Sequence, residues 1–237
     1  MKRCSACWAS LPKGSPDSAR SRTRSSISAS VGAPVKLLLA SSNSGKLKEF
    51  QALCSQGAAR TPFELALLPD FASLPPFDES APTFAENAAG KALHYSRLTD
   101  ELVLADDSGL VVPALGGAPG VHSARYAGAG ATDSDRIRKL LDEMRGKQGD
   151  ARAARFVCVL AVAKRGRVLA VVSDFVPGVL LESPRGTGGF GYDPIFFVPE
   201  LNQTFAELSY EEKNRLSHRG KAFRRLLEAF SASPAAL

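Results

Sequence analysis

Short apolar runs recur along the chain and predict β-strands. Runs rich in Val, Leu, Ile and Phe, bounded by polar or Gly/Pro-rich segments, are typical of buried strands. The predicted strands comprise residues 35–40, 63–68, 102–105, 155–163 and 167–175, and residues 179–182 add another. A Lys-Arg-Gly turn separates the fourth run from the fifth, so these two are predicted to pair as a hairpin.

Other segments show apolar residues at every third or fourth position, which predicts helices. The predicted helices comprise residues 46–56, 83–98, 132–144 and 217–230. The sequence Thr83-Phe-Ala-Glu86 has the spacing of a capping box, which marks a helix start. Because strands alternate with helices early in the chain and cluster later, the pattern predicts a mixed α/β fold.

The charge distribution limits the class of partner. The 237 residues carry a formal net charge of +6, which could indicate an acidic partner such as nucleic acid. Residues 1–35 hold six basic side chains and one acidic one, so they account for +5 and the remainder for +1. The near-neutral body argues against nucleic-acid binding. No apolar run approaches the roughly 20 residues that span a bilayer, so no membrane partner is predicted.

The two ends of the chain are predicted to lie outside the folded domain of residues 35–231. Residues 1–34 are rich in Ser, Arg and Ala, which predicts a disordered extension, and residues 232–237 form a short tail. The extension also resembles an organelle transit peptide in composition. Cys4 and Cys7 have metal-ligand spacing but lack a second Cys or His pair, so zinc is a weak interpretation. The cysteines indicate no disulfide framework, which favours the cytoplasm.

The turn after the first strand, Ser41-Ser-Asn-Ser-Gly-Lys46, carries the first candidate chemistry. A strand–turn–helix of small residues ending in Lys can direct backbone N–H groups and a cation at phosphates. It is not a P-loop, since Ala40 and Leu47 stand where that pattern needs Gly and Ser or Thr. From spacing alone, phosphate binding and a plain capped turn both remain open.

Acidic residues form the second candidate. Asp106 and Asp107 follow an apolar run, so their carboxylates are expected at the carboxyl end of a strand, where open α/β sheets bind ligands. Such oxygens suit Mg²⁺, which binds through one or two carboxylates plus substrate phosphates. Glu79 lies in a Pro/Asp-rich loop, and Glu86 completes the capping box. The alternative for the Asp pair is a solvated turn.

A glycine-rich segment, Gly186-Thr-Gly-Gly-Phe-Gly-Tyr-Asp-Pro194, is the third candidate. It contains the GxGxxG spacing of dinucleotide-binding folds, but the residue before Pro194 is a poor helix start, and we reject that interpretation. The glycines suit close backbone approach to a ligand, while Phe190 and Tyr192 suit stacking on a flat base. The alternative is a β-turn with buried aromatic side chains.

The fourth candidate lies near the carboxyl terminus, in Glu211-Glu-Lys213 and Ser217-His-Arg-Gly220. Lys213 and Arg219 could hold phosphate or base oxygens, and Ser217 is a suitable N-cap. Taken alone, these residues fit ordinary surface charges at a helix end better than a binding site.

Together and in this order, the segments resemble the inosine triphosphate pyrophosphatase family, also called the Ham1-like group, in its bacterial form. The matching segments are residues 40–46, 83–88 with Lys91, 105–110, 115–120 with 123–126, 186–196 and 217–220, within residues 35–231. Two small departures exist. Ser41 and Ser42 stand where the family often has Thr-Gly, and Ala81 stands where a Gly often follows the metal-site segment.

The resemblance implies an elongated mixed α/β fold of two lobes, with the active site in the cleft between them. It also implies a homodimer, Mg²⁺ as cofactor, and hydrolysis of ITP, dITP and XTP to the monophosphate and pyrophosphate. Asp107 would be the general base, Glu79 and Asp107 would hold the metal, and Glu86, Lys91 and Asp106 would lie behind them. The nucleotide would contact Ser41, Ser42, Asn43, Ser44, Gly45, Lys46, Ser108, Phe190, Gly191, Tyr192, Asp193, Lys213, His218 and Arg219.

Base selection would depend on the 6-oxo group of inosine and xanthosine. Arg219 and His218 are the candidate donors, because a donor facing the adenine amino group would stay unpaired, at a cost of about 1–3 kcal/mol. Three other functions compete with this hypothesis. They are a pyrophosphatase for modified pyrimidine nucleotides, a nucleotide-binding module without catalysis, and a nucleic-acid-binding protein.

Overall fold

The computed structural model describes residues 35–56 and 63–232. The predicted disordered extension, the Cys4–Cys7 pair and residues 233–237 of the predicted tail therefore lie outside the described residues. No helix in the described part is long and apolar enough to cross a membrane.

The described chain forms one seven-stranded sheet with helices on both faces, which confirms the predicted mixed α/β class. The strands are β1 (Val35–Leu39), β2 (Phe63–Leu67), β3 (Leu102–Val111), β4 (Ala153–Lys164), β5 (Arg167–Leu180), β6 (Phe196–Val198) and β7 (Gln203–Thr204). The helices are α1 (Ser44–Gln56), α2 (Phe84–Tyr95), α3 (Asp133–Glu143), α4 (Tyr210–Leu216) and α5 (His218–Ala232).

The sheet changes from parallel to antiparallel at β3. Its strand order is β2-β1-β3-β4-β5-β6-β7; β1 is parallel to both neighbours, and every later pair is antiparallel. The β4–β5 hairpin turns at Arg165 and Gly166, which both have positive φ, at 48° and 74°. Two successive positive φ angles match the right-handed twist of the flanking strands, which explains the tight turn.

Side chains of β3 alternate between the two faces of the sheet. Leu102 and Leu104 join the cluster around α1 and α5, in which Phe50 and Phe223 meet edge to face at 5.5 Å. Val103 and Ala105 lie on the opposite face, which α2 covers. Because a strand has a side-chain period of two, the next residues along β3 continue this alternation.

Three predicted boundaries are wrong. The prediction ended the third strand before Asp106, but β3 runs on to Val111 because β4 pairs with it antiparallel throughout. Residues 179–180 are the end of β5 and not a separate strand, and α2 ends at Tyr95. The short elements β6, β7 and α4 were not predicted, because two- to seven-residue elements show too little periodicity.

The predicted helix starts hold. Thr83 caps α2 by accepting from the Glu86 N–H at 3.2 Å. Ser217 accepts from the Gly220 N–H at 3.1 Å and so begins α5. These local side chain–backbone bonds depend on spacing alone, which is why the sequence predicts them.

Candidate functional site

The loop that follows β1 lies at the end of the parallel part of the sheet. The Ala40 N–H donates to the Leu104 carbonyl at 2.9 Å, which continues the β1–β3 ladder by one residue. The Asn43 side-chain oxygen accepts from the N–H groups of Gly45 at 2.9 Å and Lys46 at 3.1 Å. Asn43 therefore caps α1, and a phosphate at this helix end would compete with its side chain.

Asp106 and Asp107 lie just beyond the last paired residue of β1, as expected for a ligand crevice, but in the middle of β3. Strand alternation therefore directs them to opposite faces: Asp106 toward α5 and Asp107 toward α2. The two carboxylates do not form a pair on one side of the sheet, and each has its own environment.

Asp106 is enclosed by donors and cations. It forms an ion pair with Lys46 and accepts from Arg219 Nε at 3.1 Å. It also accepts from the Cys158 thiol at 3.2 Å and the Ser108 hydroxyl at 2.9 Å. Burial opposes ionisation, but the Lys46 and Arg219 cations win and hold the pKa of Asp106 far below its usual range. Asp106 is therefore a permanent anion.

Arg219 and Lys213 extend this ion network to α1 and the glycine-rich segment. The Arg219 guanidinium, 2% exposed, also pairs with Glu49 and donates to the Ser108 hydroxyl at 2.9 Å. Lys213 contacts Glu49 at 2.8 Å and Asp193 at 2.5 Å. Neighbouring carboxylates outweigh burial and raise the pKa of Lys213. Each buried charge thus has an opposite charge in contact, as the cost of burial requires.

Glu49 was missed in the sequence analysis. It is 2% exposed and links Arg219 with Lys213. Its spacing, three residues after Lys46 and four before Leu53, places it on the inward face of α1. An acid on an otherwise apolar helix face was the available signal.

Asp107 lacks such a complement. It is 5% exposed, and its Oδ2 has no hydrogen-bond partner among the described residues. Burial chiefly raises the pKa of Asp107 to about 6, with smaller increases from Glu79 and Asp106; Asn87 and Lys46 act in the opposite direction. An added cation would stabilise the ionised form of such a carboxylate.

The loop that carries Glu79 is fixed against α2. Lys91 contacts the Glu79 carboxylate at 2.5 Å, and Arg125 donates to the Glu79 carbonyl at 2.8 Å. The Asn87 side chain binds both backbone groups of Ala81, at 3.0 and 3.3 Å. Lys91 thus contacts one of the two predicted metal ligands, and Asn87 is a support that the sequence analysis missed.

Glu86 does not belong to this acidic group. It is exposed, and its carboxylate accepts from the Thr83 hydroxyl at 2.7 Å. The prediction that it supports the metal site is corrected: the cap of α2 uses this side chain, because Glu86 lies in the first turn.

The donor set of Asp107 and Glu79 fits Mg²⁺. Both supply hard carboxylate oxygens, one of them without a partner in the described chain. Among the residues that the structure describes, no group of three His, Cys, Asp or Glu side chains could hold a metal by itself. Mg²⁺ characteristically binds through one or two carboxylates and completes its shell with water and substrate phosphates.

The glycine-rich segment is tied down by Asp193. The Phe190 N–H donates to Asp193 Oδ2 at 2.8 Å, and a Cβ on Gly189 would lie 2.1 Å from the same oxygen. Gly189 also has φ of +72°, so only glycine fits there. The half-buried Phe190 ring lies 4.6 Å from Lys213 Nζ.

Tyr192 is 4% exposed, so its ring is not available to stack on a base. Its ring belongs to the hydrophobic core, and its hydroxyl donates to the Ser123 carbonyl at 3.0 Å. The prediction that both rings stack on a base is corrected to Phe190 alone, because the Tyr192 ring is buried in the core. Asp193 is likewise buried and serves the loop and Lys213.

A cavity of about 780 Å³ joins the phosphate-loop candidate to the glycine-rich segment. It is lined by Ser42, Asn43, Gly45, Lys48, Glu49, Asp133, Arg136, Gly188, Gly189, Phe190, Phe205, Leu208, Tyr210 and Lys213. Its volume suits a nucleotide-sized ligand. Glu79 and Asp107 do not line this cavity. Lys46 links the phosphate-loop candidate to the acids of β3, because it contacts Asp106 and also lowers the pKa of Asp107.

His218 and Arg219 lie beneath the site, enclosed by protein. The His218 ring stacks on Phe156 at 4.8 Å and 9°, and its Nδ1 lacks a partner within the described chain. Burial, together with the Arg219 charge, holds the pKa of His218 well below its usual value, so the imidazole is neutral. The assignment of both side chains to base recognition stays a prediction.

The comparisons with known proteins agree on one family. The sequence model of the Ham1 family matches residues 37–229. A Geobacillus kaustophilus protein named dITP/XTP pyrophosphatase is 51% identical over 193 residues, which cover 81% of this chain and 93% of that protein. A Thermus thermophilus protein of the same name is 50% identical over 200 residues, covering 84% and 94%.

Solved structures agree with this similarity. A HAM1 protein from Coxiella burnetii shares 40% identity with a TM-score of 0.73, covering 84% of this chain and all of that one. The residues that the family model matches include every candidate site segment described above.

Proposed function

Because the chain belongs to the Ham1 family, we propose that it hydrolyses noncanonical purine nucleoside triphosphates, ITP, dITP and XTP, to the monophosphate and pyrophosphate. The chain is a nucleoside-triphosphate pyrophosphatase, and its activity removes these compounds from the nucleotide pool. The observation that carries the proposal is the 51% identity to a dITP/XTP pyrophosphatase over 81% of the chain. The cavity and the two acids of β3 supply the chemistry that this reaction needs.

The reaction breaks the bond between the α-phosphorus and the oxygen that bridges to the β-phosphorus. The oxygen of water attacks the α-phosphorus, the bridging oxygen leaves with pyrophosphate, and a proton passes from water to a base. Asp107 is the proposed base, since its buried carboxylate has a free oxygen and a pKa raised to about 6. Lys46 would bind the phosphates and offset their charge, and the Gly45 amide would join it only where a phosphate displaces the Asn43 side chain.

Glu79 and Asp107 are the proposed magnesium ligands. Bound Mg²⁺ would neutralise phosphate charge and make water more acidic. The chain contributes the fixed position of both carboxylates: Glu79 is held by Lys91, and Asp107 by strand β3. The missing partner of Asp107 Oδ2 supports this assignment.

The base would lie in the cavity against the Phe190 ring. Phe190 is half-buried at the cavity wall, and Lys213 lies beneath its face. His218 and Arg219 remain the proposed readers of the 6-oxo group. Arg219 already uses all three guanidinium nitrogens on Asp106, Glu49 and Ser108, so only its remaining hydrogens could reach the base.

A homodimer and a cytoplasmic location complete the proposal. Val171 and Phe175 lie four residues apart on β5 and are 46% and 52% exposed, and exposed apolar side chains on one strand are compatible with a self-association surface. Cys54 and Cys158 are free thiols, as expected in a reducing compartment.

The test is pyrophosphate release by the full chain from ITP, dITP, XTP, GTP, ATP and dUTP, with and without Mg²⁺. We expect magnesium-dependent turnover of the first three well above that of GTP and ATP. Preferred turnover of dUTP would instead support a pyrimidine nucleotide pyrophosphatase. No turnover of any nucleotide by folded protein would support a binding module. Asp107→Asn serves as the inactive variant, and Asp100→Asn, in an exposed pair with Arg165, is its matched control.

A further inference from the structure

The first residue of α3 reaches across the cavity wall to the glycine-rich segment. The Gly191 N–H donates to Asp133 Oδ2 at 2.7 Å, although the two residues are 58 positions apart. Gly191 has φ of +64°, and a Cβ there would meet no atom within 4 Å. The bond to Asp133 is therefore a direct tether on the Gly191 peptide group.

Two carboxylates hold two consecutive amides of the segment. Asp193 accepts from the Phe190 N–H at 2.8 Å, and Asp133 accepts from the Gly191 N–H at 2.7 Å. Fixing both peptide groups on either side of the Phe190 Cα restricts the direction in which its ring points. The ring is the exposed aromatic surface that the cavity offers a base.

Arg136 fixes Asp133 in turn. Its Nη2 pairs with Asp133 Oδ1, and its Nη1 donates to the carbonyls of Ala124 at 3.0 Å and Ala131 at 2.6 Å. The helix beneath is anchored by the capping box of Thr132 with Asp135 and by the buried Ile137 and Leu140. The Asp133–Arg136 pair thus connects the start of α3 to the glycine-rich segment at Gly191.

We propose that Asp133 and Arg136 are positioning residues that set the Phe190 ring for base binding. The proposal rests on the proposed function and deepens it: a loosened ring weakens binding of the purine, while the phosphate loop, the acids of β3 and Lys46 stay in place. The pair therefore affects the KM for nucleotides and leaves the chemical step nearly unchanged.

The experiment compares Asp133→Ala, Asp133→Asn and Asp142→Ala in the full chain. Asp142 is the matched control, because it lies on the same helix as Asp133 and does not line the cavity. Like Asp133, it pairs with an arginine three residues later, Arg145, at 2.6 Å. Losing a charged hydrogen bond predicts a KM for ITP about tenfold higher in Asp133→Ala, with kcat within about threefold. Asp133→Asn keeps an acceptor for Gly191 and should fall between that variant and wild type.

Inhibition by pyrophosphate separates positioning from general damage. Pyrophosphate carries no base, so its inhibition constant should stay within about twofold in Asp133→Ala. Equal losses for ITP and pyrophosphate, or an unchanged KM, would overturn the proposal. If Asp133→Ala does not fold, Arg136→Lys provides the same test. It keeps a positive charge but loses the guanidinium that binds Asp133 and the carbonyls of Ala124 and Ala131 at the same time.

Hydrogen exchange provides a readout that does not require activity. The Gly191 amide should exchange about tenfold faster in Asp133→Ala than in wild type or Asp142→Ala. Unchanged exchange would show that Asp133 does not hold the loop. If the Gly191 amide exchanges faster in Asp133→Ala but the wild-type chain hydrolyses no nucleotide, the proposed function would be contradicted. The role of Asp133 in holding the loop would still be supported.

Discussion

The two faces of strand β3 give neighbouring carboxylates opposite electrostatic environments. On the face toward α5, Asp106 contacts Lys46, Arg219, Cys158 and Ser108, and its pKa lies far below the usual range. On the face toward α2, Asp107 is also buried, but one of its oxygens has no partner among the described residues and its pKa rises to about 6. One residue of separation along the strand changes the electrostatic state of the side chain.

The difference separates two networks. The finished network consists of Asp106 and the groups that it contacts, and the incomplete network consists of Asp107 and Glu79. The charges around Asp106 are matched within the chain, so this side holds α1, β3, α4 and α5 together whether or not a ligand is bound. Asp107 has no such complement, because one of its oxygens lacks a partner among the described residues, so an added cation would stabilise this side. Functional sites commonly keep such uncompensated groups.

Removing the central cation of the finished network should have the largest effect. Arg219→Ala leaves Asp106 and Glu49 buried without their guanidinium partner, and we expect unfolding free energy to drop by about 3–5 kcal/mol. Urea unfolding measures this value. Arg225→Ala is the control on the same helix; the Arg225 side chain is 62% exposed where it pairs with Asp174, so the pair should contribute less than about 1 kcal/mol. Similar losses in both variants would contradict the distinction between the two networks.

Asp107→Asn tests the incomplete network through activity. The variant keeps the shape of the side chain but cannot accept a proton, so turnover of ITP should fall by about 10²–10⁴-fold. Circular dichroism should show an unchanged fold. Turnover close to that of wild type would remove Asp107 from the mechanism.

The same variant should be more stable than wild type when metal is absent. A carboxyl whose pKa is raised to about 6 in the folded state destabilises the fold above that pH, and protonation removes the penalty as pH falls toward the unfolded value of 3.8. Asp107→Asn should therefore gain about 1–3 kcal/mol at pH 8 with chelator present. The gain should shrink between pH 6 and 4. A constant difference across this range would show that ionisation of Asp107 is not its cause.

The smallest effect is expected at Cys158. Its thiol donates to Asp106 at 3.2 Å, but Lys46 and Arg219 already neutralise that carboxylate. Cys158→Ala should cost about 1 kcal/mol and leave turnover unchanged. Cys54→Ala, at a half-buried thiol, is the control for thermal unfolding. A large loss of activity in Cys158→Ala would show that the thiol is needed to position Asp106 and, through it, Lys46 or Arg219.

The candidate site was predicted more completely than its supports. The segments at residues 41–46, 106–108 and 186–193 were candidates from small residues, paired acids and glycine spacing, and residues 213–219 entered only through the family resemblance. Glu49, Asn87, Asp133 and Arg136 were not, because each looks like an ordinary helix residue in sequence. Their importance arises from contacts such as Arg219 with Glu49, which are 170 positions apart.

The sequence by itself determined the periodic elements, the helix caps at Thr83 and Ser217, and the family. These features depend on neighbouring residues, so local spacing is sufficient to predict them. Only the tertiary structure decided that β3 continues through Asp106 and Asp107, since that requires β4 to pair with it. The same pairing sends the two carboxylates to opposite faces, and the helix packed on each face decides which charge is matched and which is left for a ligand.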